Sequence, residues 1–337
     1  MYQGCVTVTD KLIYPLLSRS VPAPAGASQA VQQTILETPV PNVADWQSIS
    51  PQSVGEWSAF IKEMDDAELS FIETHFACES LRIESAEIRG VPVYWITPPV
   101  IDAEFKRKLF LVAHGGAYVA GAGKAGLSEA MLIASRLKVP VLAIDYRMPP
   151  EHPFPAGLDD IVTVYTQLLE GRPANSMALG GSSAGGGLAL ACLHRLKGLG
   201  LQLPGAVFAG TPWTDLTKTG DSYYCNEGLD RALVSYEGVL AAAAKLYVAD
   251  GEFKDPLVSP IYGEFEGFPP VLLTTGSRDL FLSCTIRAHT KLRMAGVTAD
   301  LLVFEGQSHG DYALLVDSPE SDFFYAELKS FLLQHLQ

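Results

Sequence analysis

The sequence predicts an α/β protein built on a mostly parallel sheet with helices on both faces. The chain has 337 residues, of which 48% are apolar and 18% charged, which is enough apolar material for a large buried core. From about residue 109 onward, short apolar runs typical of buried strands alternate with longer stretches of helical spacing. This alternation is typical of strand–helix–strand units, in which helices cover both faces of a parallel sheet.

Eight strands are predicted. Two β-branched runs at residues 81–88 and 91–97 are separated by Gly90 and predict an antiparallel opening pair. The other strands are expected at residues 109–113, 139–144, 177–180, 206–209, 271–275 and 301–304. Helical patterns occupy residues 57–76, 127–137, 157–169, 184–196, 232–248, 283–294 and 321–336. The connection over residues 211–270 is too long for a simple crossover, so part of it is expected to lie over the sheet as an insertion.

Charge and composition exclude several classes of protein. Lys and Arg total 24 against 38 Asp and Glu, a net charge of −14, so nucleic acid and anionic membrane are not expected partners. No window reaches the roughly 18 apolar residues of a membrane span, and the N-terminus shows no signal peptide. The five cysteines form no Cys-x-x-Cys pair and indicate neither zinc nor a disulfide framework. We therefore expect a cytoplasmic protein.

A Gly-x-Ser-x-Gly pattern runs from Gly181 to Gly185, between a predicted strand and a predicted helix. The pattern alone is weak, because chance would produce it in roughly one such chain in five. Its position is that of a nucleophile elbow, a sharp turn that exposes a serine hydroxyl, here that of Ser183. Ser182 is expected to carry no necessary role. The alternative is an ordinary turn of small residues.

A serine hydroxyl is a weak nucleophile until a base takes its proton and an acid orients that base. Asp279 follows the seventh predicted strand and His309 follows the eighth, so both are expected at the sheet edge that carries Ser183. The order Ser, Asp, His is that of the α/β-hydrolases. Three other histidines are weaker candidates because they lie in a Pro-rich loop or in helical patterns: His152, His194 and His289.

The run from His114 to Ala117 directly follows a predicted strand and contains two glycines. Backbone N–H groups that are free to point at a substrate oxygen can stabilise an oxyanion. We assign an oxyanion hole to the N–H groups of Gly115, Gly116 and Ala184, the residue after Ser183. The alternative is a plain glycine turn.

A rival motif, Gly-x-Gly-x-x-Gly, spans residues 121–126, and Asp145 ends the next predicted strand. This pattern is typical of dinucleotide-binding sites, where an acidic residue binds the ribose about 20 residues on. The fingerprint should begin almost where the strand ends, however, and the preceding strand ends near Ala113. Nicotinamide or flavin binding is therefore disfavoured, and neither a metal nor an organic cofactor is expected.

These residues make the chain similar to the hormone-sensitive-lipase-like carboxylesterases of bacteria, which are α/β-hydrolases with a helical cap. The likeness begins near residue 91 and is carried by residues 114–117, 145–156, 181–186, 212–216, 255–260 and 306–309. It implies an α/β-hydrolase fold with an eight-stranded sheet. It also implies a division in which the helical cap is residues 1–57 and 216–248, and the catalytic domain is residues 58–215 and 249–337.

The sequence departs from the pattern of this family at three points. Ala117 replaces the last glycine of the oxyanion stretch, and Ser182 stands where the family usually has Asp or Thr. The family's acid often lies in an Asp-Pro-Leu run, which here begins at Asp255. We still prefer Asp279 as the acid, because it follows the penultimate strand whereas Asp255 precedes it.

The resemblance implies a serine carboxylesterase that acts through an acyl-enzyme on short-chain or aromatic esters, which are small-molecule substrates. It also implies a homodimer that pairs through the last strand. The alternative is a ligand-binding protein of the same fold that lacks catalysis. Several aromatic residues could line an acyl or alcohol pocket or could equally belong to the core: Trp46, Trp57, Tyr118, Trp213, Tyr223 and Tyr224.

Overall fold

The computed structural model describes residues 20–77 and 80–337, so the first 19 residues of the predicted cap lie outside the described residues. The strands are β1 (Arg82–Ile88), β2 (Val91–Thr97), β3 (Leu109–Ala113), β4 (Val141–Ile144), β5 (Met177–Ser182), β6 (Ala206–Gly210), β7 (Val271–Gly276) and β8 (Ala299–Phe304). The helices are α1 (Gln29–Glu37), α2 (Val43–Ser48), α3 (Val54–Phe76), α4 (Ser128–Leu137), α5 (Ala156–Leu169), α6 (Ala184–Gly198), α7 (Ser222–Cys225), α8 (Val239–Val248), α9 (Leu282–Met294), α10 (Asp311–Leu314) and α11 (Pro319–His335).

All eight strands form one sheet in the order β1-β2-β4-β3-β5-β6-β7-β8. The β1–β2 and β2–β4 pairs are antiparallel, and every pair from β4 to β8 is parallel. The predicted eight-stranded, mostly parallel sheet is therefore confirmed. Because β5 lies between β3 and β6, its carboxyl end is near the middle of the edge where ligands bind in such sheets.

The central strands are buried on both faces. In β3, Leu109 and Leu111 pack into one apolar cluster, with residues of α5, α6 and α9. The alternate residues Phe110 and Val112 pack into a second cluster, with residues of α4 and α11. Successive side chains of a strand point to opposite faces, so an unbroken apolar run is what a strand between two helical layers requires.

The predicted helix over residues 232–248 is wrong in its first part, since α8 begins at Val239. The carboxylate of Asp230 accepts hydrogen bonds from the N–H groups of Ala232 and Leu233, at 2.9 and 3.2 Å. Gly238 then takes a φ of 88°, outside the helical range. A side chain that binds nearby backbone in this way competes with helix formation.

The two stretches predicted to form a cap are in contact. The side-chain amide of Gln47, in α2, donates to the Glu227 carboxylate at 3.2 Å and lies 3.1 Å from the Ser235 hydroxyl. Trp57, where the first stretch is expected to end, lies in α3. The division of the chain into cap and catalytic domain stays a prediction.

In the two described ranges, no helix has both the length and the apolar composition needed to cross a bilayer.

Candidate active site

Ser183 occupies the turn between β5 and α6 with φ 61° and ψ −123°. A non-glycine residue in this region of backbone space is strained by on the order of 1–3 kcal/mol and persists only where its surroundings enforce it. The Ser183 N–H donates to the Gly210 carbonyl at 2.8 Å, and the Ser183 carbonyl accepts from the Trp213 N–H at 3.0 Å. The end of β6 and the chain that follows it therefore hold the strained turn in place.

The glycines on either side of Ser183 allow a close approach of three chain segments. A Cβ atom on Gly181 or on Gly185 would lie 1.9 Å from the carbonyl oxygen of Ala113, at the end of β3. That distance is far inside van der Waals contact, so neither position accepts a larger residue without a shift of the backbone. This steric requirement explains the Gly-x-Ser-x-Gly spacing.

Asp279 and His309 lie side by side at the ends of β7 and β8. The Nδ1 atom of His309 is 3.0 Å from Oδ1 of Asp279. The Asp279 side chain is fully buried, and that of His309 is 11% exposed. The Asp279 carboxylate also accepts from the Phe281 N–H at 2.8 Å and from the Thr275 hydroxyl at 2.7 Å. These contacts fix the carboxylate and direct Nδ1 of the imidazole towards it.

Thr211 connects this pair to the nucleophile turn. It directly follows Gly210, the residue that accepts the Ser183 N–H, and its hydroxyl hydrogen-bonds the Asp279 carboxylate. The same hydroxyl lies 2.9 Å from Nδ1 of His309. The structure thus brings the three predicted triad residues to one sheet edge. Sequence reasoning missed Thr211, whose only signal is its place after a buried strand.

His309 has a higher pKa than an ordinary histidine. Burial by itself would lower the pKa of His309, but the carboxylate of Asp279, followed by those of Asp230 and Asp311, raises it by more. A histidine whose protonated form is stabilised in this way is suited to receive a proton and hold it briefly.

Of the three residues assigned to an oxyanion hole, Gly115 and Ala184 adjoin Ser183, and Gly116 follows Gly115. Gly115 is so close that a Cβ there would lie 3.5 Å from the Cβ of Ser183. Gly116 takes a φ of 105°, and a Cβ there would meet the Ala120 carbonyl oxygen at 2.2 Å. Ala184 is the first residue of α6, so its N–H has no partner within the helix.

The rival dinucleotide motif has a structural explanation. A Cβ on Gly121 would lie 2.6 Å from Nδ1 of His114, and one on Gly126 would lie 2.9 Å from the same ring. The glycines therefore make room for a buried imidazole. Asp145, the candidate ribose ligand, accepts a hydrogen bond from the Gly123 N–H at 2.9 Å. The carboxylate that a ribose would need is bound to the motif itself.

Comparison with known proteins gives the family. A family model described as alpha/beta hydrolase fold matches residues 110–313. The crystal structure of an esterase from the bacterial hormone-sensitive lipase family is 30% identical, has a TM-score of 0.76 and covers 92% of this chain and 99% of its own. The chain belongs to the hormone-sensitive-lipase-like α/β-hydrolases.

Two further relatives of this hormone-sensitive-lipase-like protein are informative. The crystal structure of an esterase named E25 is 47% identical, has a TM-score of 0.95 and covers 97% of this chain and 100% of its own. An acetyl-hydrolase of Streptomyces hygroscopicus is 35% identical over 187 residues, which are 55% of this chain and 60% of that relative.

Asp255, which matches the family's Asp-Pro-Leu spelling, is not the partner of His309. Its carboxylate accepts from the Leu257 N–H at 2.8 Å, within its own turn, whereas Nδ1 of His309 faces Asp279. Strand order and this geometry both favour Asp279 as the acid.

Ser182, for which the sequence predicts no necessary role, makes two hydrogen bonds to Glu129. Its hydroxyl is 2.5 Å from Oε1 of Glu129, and its N–H donates to Oε2 at 3.1 Å. Burial, which outweighs the lowering effect of these hydrogen bonds, raises the pKa of Glu129 to about 7. No local pattern marks Glu129 in the sequence, because its partner is 53 residues away.

Most of the aromatic candidates belong to the core of this hydrolase. Tyr118, Trp213 and Tyr223 are at most 1% exposed, whereas Tyr224 is 55% exposed. Trp213 stacks on Phe281 with a centroid distance of 5.0 Å. The rings of Phe281 and His309 are nearly perpendicular, with their centroids also 5.0 Å apart. The aromatic cluster therefore packs against the ring of His309.

Proposed function

We propose that this chain is a serine carboxylesterase that hydrolyses short-chain or aromatic carboxylic esters through an acyl-enzyme. The observation that carries the proposal is the Asp279–His309 hydrogen bond of 3.0 Å, at the same sheet edge as the strained turn of Ser183. The names of its relatives, an esterase and an acetyl-hydrolase, support the same reaction class.

In the proposed mechanism, Nε2 of His309 takes the proton of the Ser183 hydroxyl as Oγ attacks the ester carbonyl carbon. Asp279 holds the imidazole in the tautomer that carries its hydrogen on Nδ1, and stabilises the imidazolium. The N–H groups of Gly115, Gly116 and Ala184 bind the oxyanion, and each such donor is typically worth about 10²- to 10³-fold in turnover.

Collapse of the tetrahedral intermediate breaks the ester C–O bond, and the leaving alcohol takes its proton from His309. Water then gives a proton to His309 and attacks the acyl carbon, and Ser183 leaves with that proton to regenerate the enzyme. The predicted cap, residues 1–57 with 216–248, would cover this site and select substrates by size and apolarity. Every proton transfer in this scheme uses His309.

The test is hydrolysis of a p-nitrophenyl ester series from acetate to palmitate by the wild type and by Ser183→Ala. We expect turnover to be highest at short chains and to fall by about 10⁴-fold or more in the variant. Ser176→Ala is the matched control, because Ser176 is a buried serine that binds the Pro173 carbonyl. It should keep normal turnover.

Near-normal turnover in Ser183→Ala would refute the triad assignment. No turnover by the wild type at any chain length, together with tight binding of a small ligand, would favour the non-catalytic alternative.

A further inference from the structure

A short segment of the β6–β7 connection, Asn226 to Arg231, contacts the loops that carry both Asp279 and His309; we call it the strap. The Asn226 amide donates to the main-chain carbonyls of Ser277 and Asp279, at 3.2 and 2.8 Å. At its other end, the Arg231 N–H donates to the Ser308 hydroxyl at 3.0 Å. The strap therefore binds the loop after β7 and the loop after β8.

Asp230 makes further hydrogen bonds that join the strap to both loops. Its Oδ2 accepts from the N–H of Leu280 at 2.7 Å, one residue after Asp279. Its Oδ1 lies 3.4 Å from the backbone nitrogen of His309, and it also binds two N–H groups of its own turn. The residue is fully buried. One carboxylate thus joins the strap to the backbone of the acid loop and to that of the histidine loop.

The charge of Asp230 is a costly feature, because a buried carboxylate next to another carboxylate is destabilised. Burial, then the nearby charge of Asp279, raise the pKa of Asp230 to about 6, while His309 and the hydrogen bonds lower it. Both carboxylate oxygens of Asp230 accept hydrogen bonds from backbone N–H groups, which the single oxygen of an amide or a hydroxyl could not do. The carboxylate therefore serves the turn and the acid loop at once, and it places a charge beside the histidine loop.

Charged groups reach His309 from each neighbouring segment. Asp279 comes from the acid loop, Asp230 from the strap and Asp311 from the start of α10. The Arg231 guanidinium forms an ion pair with Asp311, which partly offsets the negative charge of that carboxylate. Burial, and then the nearby positive charge of Arg231, lower the pKa of Arg278. After Asp279, Asp230 is the next carboxylate in its effect on the imidazole.

We propose that Asp230 is a positioning residue for the hydrolysis: it fixes the backbone that carries Asp279 and His309, and its charge stabilises the protonated imidazole that forms in each proton transfer. Asp230 acts through His309 and does not touch the substrate. This inference rests on the proposed function of the triad, but its electrostatic half can be measured without turnover.

The first experiment is an NMR titration of the full chain labelled with ¹³C-histidine. The chain contains seven histidines, so the His309 signal is identified by its loss in His309→Gln. In Asp230→Asn we expect the pKa of His309 to fall by about half a unit or more, since an opposite charge at close range typically shifts a pKa by about one unit or more. The acidic limb of kcat/KM should move to lower pH by the same amount.

The second readout is turnover of p-nitrophenyl acetate at a pH above the acidic limbs of both the wild type and the variant. We expect Asp230→Asn to lower kcat by about tenfold with little change in KM, because small misplacements of a catalytic group reduce rate rather than binding. Asp230→Glu keeps the charge and moves it, so it should lower kcat and leave the pKa of His309 raised. Comparison of the two variants separates position from charge.

Asp160→Asn is the matched control, because Asp160 is a buried carboxylate that is paired with Arg147 away from the triad. It should leave the pKa of His309 unchanged. If Asp230→Asn also leaves that pKa unchanged, or if both Asp230 variants keep the wild-type kcat, the proposal is wrong. A wild type without esterase activity would refute the proposed function, yet the NMR titration would still decide whether Asp230 acts on His309.

Discussion

Glu129, in the first turn of α4, binds Ser182, the residue before the nucleophile, through both of its carboxylate oxygens. Its neighbour Glu68 adds a second negative charge, although burial is the main cause of its raised pKa. The ordinary pKa of a glutamate is 4.5 and that of Glu129 is about 7, so the folded protein holds a proton there that the unfolded chain releases. Ionisation of this group therefore opposes folding.

We expect Glu129→Gln to become more stable relative to the wild type as pH rises. Protonation of Glu129 favours the fold fully below about pH 4.5, and that benefit is lost as pH rises through about 7. Gln has no charge to lose. Between pH 5 and pH 8.5, the difference in unfolding free energy should change by about 1–3 kcal/mol in favour of the variant.

Urea denaturation at the two pH values measures this change. Glu252→Gln is the control, because Glu252 is an exposed glutamate and tests the removal of charge alone. A pH-independent difference between wild type and Glu129→Gln would show that Glu129 is not destabilised by ionisation.

The sequence could predict that Asp279 and His309 would be neighbours, because each directly follows a strand and the carboxyl ends of parallel strands share one edge. It could not predict the contacts of Glu129 or Asp230. Those side chains bind partners that are tens of residues away, and neither lies in a motif. Buried polar contacts of this kind depend on tertiary packing, which a local pattern does not encode.

β5, the Ser183 turn and α6 form one unit whose glycines set the distance to β3. A Cβ atom on Gly185 would overlap the Ala113 carbonyl oxygen, and one on Gly187 would lie 2.4 Å from the Tyr118 hydroxyl oxygen. Gly198, at the other end of α6, has no neighbour within 4 Å of such an atom. The same helix thus contains glycines that are required and one that is not.

This contrast predicts opposite effects for one substitution in one helix. Gly185→Ala should destabilise the protein by several kcal/mol and abolish esterase activity, since the added methyl group would overlap backbone that cannot move alone. Gly198→Ala should stabilise it by up to about 0.5–1 kcal/mol, because alanine loses less conformational freedom in a helix. Thermal unfolding and initial rates measure both. A soluble, active Gly185→Ala would contradict the steric explanation of the motif.

The elements that the sequence predicts best are the buried strands. An unbroken apolar run bounded by turn residues marks β3 and β6 almost residue for residue. The predicted helix at residues 232–248 is wrong before Val239, because Asp230 binds the backbone there and the apolar residues pack as turns. Apolar spacing identifies a buried face, but a buried carboxylate can redirect the chain that carries it.

In the order of the described strands, β8 ends the sheet and has only β7 as a neighbour. Its first exposed residue is Asp300, but further along Val303 is 49% exposed, and Phe323 of α11, which lines the same groove, is 51% exposed. Edge strands of monomers usually carry lysine, proline or a bulge that prevents pairing with another chain. β8 contains neither lysine nor proline, and its one charged residue, Asp300, lies near the start of the strand, so the apolar stretch that follows is suited to pair with a second copy.

We therefore expect the protein to be a homodimer that pairs through β8, and we expect Val303→Lys to convert it to a monomer. A lysine on the exposed face would bring like charges together across a twofold axis and leave them partly desolvated. Size-exclusion chromatography with light scattering gives the mass directly. Val100→Lys is the control, because Val100 is 62% exposed in a loop far from this strand in the sequence, and it should stay dimeric. A monomeric wild type at micromolar concentration would refute the dimer, and a dimeric Val303→Lys would place the interface on another surface.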